Sequence, residues 1–282
     1  MTARLRRIQH PGAPASERLR SLPCHAAPLR LTLPAGQSLA EAVPQAFARA
    51  GFAFGYLRLD GADFAPLNFV TPAPAPGDGH AAWYSATHHS SAARARHAGV
   101  HLGLRDGKPF LHCHGIWDGT PPDAGHMLCE DSILAQDCTV AGWGLKGAGL
   151  VASHDRETDF TLFRPERQGD APIANAFLIT LRPNQDISAA LLAFAQEHRI
   201  TAAQIEGIGS LVGTAFSDGR MIESYATEIL VVQGRLQDDA LSLQIAAVGF
   251  DGRCQSGTLA AGANAVCVTA EILLLGEPLS PA

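Results

Sequence analysis

The apolar and polar positions of this chain repeat one order of elements twice. Leu31-Thr32-Leu33 alternates as a short strand, Pro34-Ala35-Gly36-Gln37 turns the chain, and an apolar spacing typical of a helix follows Ser38. Much later Ile179-Thr180-Leu181, then Arg182-Pro183-Asn184-Gln185, then Asp186 repeat the scheme. The two segments align without a gap: Thr32 with Thr180, Leu33 with Leu181, Gln37 with Gln185, Ala42 with Ala190. Ser38 and Asp186 are natural N-caps, since a side-chain oxygen can accept the free N–H groups of a first helical turn. Ile187, Leu191, Leu192 and Phe194 form the apolar stripe of the second helix, and strands are predicted at 54–59 and 203–208.

The correspondence returns near the end of each half. Phe110-Leu111-His112-Cys113-His114 lies opposite Ala240-Leu241-Ser242-Leu243-Gln244, and Gly125-His126-Met127-Leu128 opposite Gly257-Thr258-Leu259. Cys138-Thr139-Val140-Ala141 lies opposite Cys267-Val268-Thr269-Ala270. The pattern predicts two diverged tandem copies of one α+β domain, at 28–153 and 174–278, each a mainly antiparallel sheet flanked by helices. Residues 1–27, rich in Arg, Pro and Ala, read as a loose tail. Residues 154–173, with Asp155, Arg156, Glu157, Asp159, Pro165, Glu166, Arg167 and Gly169, read as a polar linker.

Composition supports a packed core, with 46% hydrophobic and 17% charged residues. The net charge of -6 argues against a protein that coats nucleic acid, which needs Lys and Arg to displace counterions. Arg4, Arg6, Arg7, Arg18 and Arg20 make a local exception. The six cysteines form no C-x-x-C pair and several sit in apolar runs, so buried reduced thiols in a cytoplasmic protein are expected. Neither a secretory signal nor an apolar run long enough to span a bilayer is evident, so no membrane partner is expected.

Histidine is distributed unevenly. Of twelve, eleven precede residue 160 and only His198 falls in the second copy. His112 and His114 stand two apart on a predicted strand and so share a face. Gly119, Pro121 and Pro122 then reverse the chain, and His126 begins the next strand. Three neutral imidazoles with an open fourth position suit a catalytic divalent metal, zinc first, with iron or nickel also acceptable. Unrelated surface or core histidines are the alternative. The second copy carries Ser242, Gln244 and Thr258 instead, none a good ligand, and so reads as scaffold or oligomer partner.

His89, beside His88 in a small polar stretch, is a candidate proton donor on a loop over the metal. Glu130, followed by Asp131, is a candidate acid/base or an acceptor that orients an imidazole. Exposed loop and plain surface charge are the other readings of these residues. Arg94, Arg96, Arg105 and Lys108 are candidates for binding an anionic substrate, or scattered surface cations. Gly207, Gly209 and Ser210 form either a turn lining a pocket or a packing turn.

The second half resembles the PPC (plants and prokaryotes conserved, also PCC) domain over about residues 175–275. The carrying residues are Leu181-Arg182-Pro183 before Asp186, Glu197-His198-Arg199-Ile200, Glu206-Gly207-Ile208-Gly209-Ser210-Leu211, Glu228-Ile229-Leu230 through Gly234, Asp251-Gly252-Arg253 and Thr269-Ala270-Glu271-Ile272. The first half is similar more weakly, with Leu59-Asp60-Gly61-Ala62 near the Gly-Ile-Gly-Ser position. The resemblance implies an antiparallel sheet flanked by helices, a homotrimer, and a metal site on a His-x-His pair and a following Gly-His, here His112, His114 and His126. It also implies DNA binding by analogy with plant members, whose Arg-Gly-Arg-Pro hook does not occur here. Three functions follow as expectations: a metal-dependent enzyme acting on a small polar or carboxylate substrate, a DNA-binding regulator, and a trimeric ligand-binding module with structural metal. A cupin also uses His-x-His and a later His, but its glutamate is missing from 116–120, which read Ile-Trp-Asp-Gly-Thr.

Overall fold

The computed structural model describes residues 5–170 and 173–276. In chain order its main elements are β1 (Leu19–Leu33), α1 (Leu39–Arg49), β2 (Phe54–Arg58), β3 (Ala93–Arg105), β4 (Lys108–Trp117), β5 (Ala124–Met127) and β6 (Cys138–His154). Then come β7 (Thr161–Gln168), β8 (Ala176–Leu181), α2 (Ile187–Glu197), β9 (Ala202–Leu211), β10 (Thr227–Gln237), β11 (Ala240–Val248), β12 (Cys254–Thr258) and β13 (Val266–Gly276).

The expected α+β class is corrected: the protein is a mainly antiparallel β structure. Among the described residues the only helices are α1 and α2, of 11 residues each, whereas 16 strands join one large sheet that curls on itself. A single helix per half cannot flank a sheet of this extent. The reason lies in strand length: β1 and β6 run 15 and 17 residues, far beyond the short strands that local alternation suggested. Residues 19–27, expected in the loose tail, form the first part of β1. Pro23 and His25 between Leu22, Cys24 and Ala26 masked the alternation. The expected linker likewise contains β7, which pairs with β6 from Gly147↔Gln168 to His154↔Thr161.

β1 joins the halves. Its first part pairs with β8, from Leu19↔Leu181 to Cys24↔Ala176, and its second with β6, from His25↔Lys146 to Leu33↔Cys138. Outward from this joint, one side of the sheet runs β1-β6-β2-β3-β4-β5 and the other β8-β13-β9-β10-β11-β12. α1, capped by Ser38 in a capping box with Glu41, buries Leu39, Val43 and Phe47 on its half. α2, capped by Asp186, buries Ile187, Leu191 and Phe194 on the other. A third apolar cluster, including Cys24, Tyr56, Leu150, Phe163, Leu178 and Leu273, spans the joint. Curling brings β3 against β10. At Gly99 a Cβ would lie 2.1 Å from Tyr56 Oη and 2.9 Å from Leu230, so only glycine admits this approach.

Residues 5–18, before β1, are tied down. Arg6 donates to the Glu223 carbonyl at 3.0 Å, His10 Nε2 lies 2.7 Å from the Cys267 carbonyl, and Arg18 meets Glu157 at 2.7 Å. Asp155, fully buried, anchors the centre of this network. It accepts from the Thr158 N–H at 2.9 Å, from Arg182 at 2.6 Å and from Arg164. All six cysteines are free, and no described helix is long and apolar enough to cross a membrane.

Burial alone would raise the Asp155 pKa, but the Thr158 N–H and the two guanidinium groups outweigh it and hold it down at about 2, against an ordinary 3.8. A carboxylate depressed on folding stabilises the native state above its unfolded value, and that contribution is lost as pH falls through the folded value. Urea unfolding should therefore show Asp155→Asn weaker than wild type by on the order of 2 kcal/mol at neutral pH. The gap should close as pH falls from about 4 towards about 2. A gap independent of pH over that range would contradict the assignment.

Candidate metal centre

Alternation along β4 sends His112 and His114 to the same face, and β5 pairs antiparallel with β4 so that His126 stands opposite His114. The three rings converge, with centroids 4.8 Å (His112–His114), 4.9 Å (His112–His126) and 5.4 Å (His114–His126) apart. One ring nitrogen from each lies within 4.8 Å of the other two.

The partners of these rings fix their protonation. His112 Nδ1 is 2.7 Å from Glu271 Oε2, and His114 Nδ1 is 3.0 Å from the Ile229 carbonyl. A carboxylate and a carbonyl only accept, so both Nδ1 atoms carry the proton and donate. The two Nε2 atoms then face each other at 3.1 Å. Two lone pairs at that distance repel unless a cation lies between them, either a proton or a metal. Burial, followed by the neighbouring His112 and His126, pushes the His114 pKa well below its ordinary value. Burial, then His112, pushes that of His126 down to about 3, and His126 Nδ1 is buried without a partner. A third uncharged imidazole at the same point is what a metal uses and a shared proton does not.

The second half supplies two carboxyl groups. Glu271 of β13 and Glu228 of β10 are 1% and 6% exposed. Glu228 Oε1 lies 3.8 Å from His114 Nε2, and its Oε2 has no partner. Burial raises the Glu228 pKa to about 8, against a smaller downward pull from the His126 backbone N–H. His101, opposite His112 in the β3–β4 ladder, is fully buried and places Nε2 3.2 Å from the Glu271 carbonyl. A cavity of about 340 Å³ opens over the triad, walled by Tyr84, Phe110, Phe160 and Phe163, with Ser210 and Thr227 also lining it.

The structure does not bring His89 or Glu130 to this cavity. His89 is exposed on the short strand His88–Ser90, with Nδ1 2.8 Å from Asn68 Oδ1, and Glu130 is exposed in the turn after β5. Nor do Arg94, Arg96 and Lys108 reach it. Arg94 pairs with Asp63 at 3.1 Å and Arg96 with Asp123 at 3.2 Å, whereas Arg105 does line the cavity. In the second half Gln244 pairs with Thr258 across β11–β12, as His114 does with His126 across β4–β5. That half is nevertheless more than scaffold, because Glu228 and Glu271 come from it. The sequence did carry a signal for both. Each is a lone acid beside an apolar run, Ile229-Leu230-Val231-Val232 or Ile272-Leu273-Leu274-Leu275, and a buried acid needs a partner.

Residues 168–276 match the family model of the Plants and Prokaryotes Conserved (PCC) domain. No curated protein matches the chain. Among solved structures it is similar to a metal-containing protein from Archaeoglobus fulgidus, at 17% identity and a TM-score of 0.37, covering 49% of this chain and 93% of that one. A plant- and prokaryote-conserved protein from Pyrococcus horikoshii gives 13% and 0.38, over 51% and 96%. A hypothetical protein from Salmonella cholerae-suis gives 25% and 0.32, over 36% and 78%.

The hydrogen bonds to Glu271 and Ile229 predict that nitrogen-15 NMR of the imidazoles will find His112 and His114 protonated at Nδ1. A neutral Nε2–H form of either would mean that the two lone pairs do not converge.

Proposed function

With residues 168–276 forming a PCC domain, we propose that this chain is a metal-dependent enzyme acting on a small polar substrate. In this reading His112, His114 and His126 hold one divalent transition metal, zinc first. The observation that carries it is the pair of facing Nε2 atoms 3.1 Å apart, each with its Nδ1 already committed. Tetrahedral zinc with nitrogens at about 2.0–2.1 Å sets its ligands roughly 3.3 Å apart, which the His112–His114 pair matches, and the His126 nitrogen within 4.8 Å of both would close in by a small ring movement.

When bound, such a metal supplies Lewis acidity, polarising a carbonyl or acidifying water. The protein's own groups do the rest. Glu271 and the Ile229 carbonyl orient the two imidazoles of β4 and raise their basicity. Glu228, with a free carboxyl oxygen beside His114, takes or gives a proton at the reacting group. The aromatic walls limit water around it. Hydrolysis, isomerisation and lyase steps all draw on this set.

We also read the two halves as copies of one domain. Their identical outward strand order and the Gln244–Thr258 pair in place of His114–His126 support this. The DNA-binding reading finds little free charge among the N-terminal arginines: Arg6 is engaged by Glu223, Arg18 by Glu157 and Arg20 by the Pro165 carbonyl at 2.8 Å, Arg7 is exposed, and Arg4 lies outside the described residues.

Elemental mass spectrometry of the protein, purified without a histidine tag, should find about one metal per chain, lost in the His112→Ala/His114→Ala double variant. Metal-free wild type would sink the reading. In chelator competition, Glu271→Gln should weaken retention by about 10- to 100-fold, and Glu228→Gln should leave it unchanged. Equal loss in both would make Glu228 a ligand instead of a proton carrier.

A further inference from the structure

The residues lining the cavity over the triad continue along the β3–β4 ladder to Arg105. Along β4, His114, His112 and Phe110 alternate onto one face, and across from them on β3 lie Gly99, His101 and Gly103. Continuing outward, Arg105 stands opposite Lys108. Four residues of strand separate Lys108 from His112, so Arg105 enters about 13 Å along the ladder from the triad. The space between has an aromatic floor. Phe163 lies 6.5 Å from the His112 ring and 5.5 Å from Phe110, and the Arg105 guanidinium sits 5.4 Å from the Phe110 centroid. Gly103 makes room for this floor, since a Cβ there would fall 2.5 Å from the Phe163 ring.

Arg105 is the one Lys or Arg side chain lining this cavity. Among the described residues it makes no ion pair, unlike Arg94 and Arg96, and its contact is with an aromatic face. A guanidinium lying on a ring keeps its N–H edge free, and that planar edge matches a carboxylate. The opposite end of the cavity already holds two protein carboxyl groups, Glu228 and Glu271. An anionic substituent is therefore favoured at the Arg105 end, with an apolar body across Phe110 and Phe163.

We propose that the site takes an aryl- or alkyl-carboxylate, its carboxylate on Arg105, its apolar body on the Phe110–Phe163 floor and its reacting group at the triad. The orientation rests on the reading of the triad as the reactive end. It makes Arg105 a specificity residue and selects against short acids that cannot span the floor.

The test uses the full chain loaded with zinc and 4-phenylbutyrate as probe, with acetate and 4-phenylbutyramide as controls, followed by titration calorimetry. Phenylbutyrate should bind, and both controls should bind at least about tenfold more weakly. Arg105→Met should reduce phenylbutyrate to the level of its amide, and Arg105→Lys should restore part of the loss. Arg105 is exposed, so these variants keep the fold. No binding of phenylbutyrate, acetate binding equally well, or phenylbutyrate binding unchanged in Arg105→Met would each overturn the inference. Elemental analysis of the same samples separates it from the metal reading. Zinc near one per chain without Arg105-dependent binding sinks this inference alone. Arg105-dependent binding by protein that retains no zinc supports the carboxylate end and sinks the metal reading.

Discussion

The site exists because one strand is shared. β1 gives its first part to β8 and its second to β6, so the backbone ladder runs from one half into the other without an edge between them. Continuity at the joint lets a twisted sheet curl far enough for β10 and β13 to face β4. Gly99 then sets how closely the faces meet, with Tyr56 Oη and Leu230 together occupying the place a side chain would take. Everything polar at the centre depends on that approach. Glu271 reaches His112, the Ile229 carbonyl reaches His114, and Glu228 stands beside them.

Burying so many polar groups is unfavourable unless each finds a partner. Most do. Asp155 gathers two guanidinium groups and backbone N–H groups, and Glu206, fully buried, is held by Arg58 from the opposite half. At the triad the accounting stops short, with His126 Nδ1 and Glu228 Oε2 left without partners. Buried atoms without a partner also occur at His10, Gln37, His101 and Trp117, but of the six only those of His126 and Glu228 border the cavity, beside the other two imidazoles.

Much of this was legible in the sequence, and what was not has a physical cause. The N-caps at Ser38 and Asp186, the stripe of α2 and the shared face of His112 and His114 are local, set by neighbours within a turn or a strand. The reversal that sets His126 opposite His114 is nearly local. The class was misjudged because long central strands such as β6, crowded with glycine and alanine, carry little β-propensity of their own and are made by their neighbours on both sides. Glu130 was drawn to the triad by closeness in sequence, and His89 by the small polar stretch around it. Glu228 and Glu271, more than a hundred residues downstream of the triad, were overlooked for the same reason, since only the curl of the sheet brings them near.

The division of the centre between halves has a consequence for how the molecule could be built or altered. The imidazoles belong to β4 and β5, the carboxyl and carbonyl groups beside them to β10 and β13, and the two sets meet only through contacts distant in sequence. Contacts of such sequence separation carry a larger loop-closure cost than those within each half. The centre is thus a property of the finished chain and not of either half. Splitting the polypeptide between β7 and β8 would yield two partial pieces whose recombination could be followed by the return of a competent centre. Divergence of either half would also be constrained at the positions that face the other.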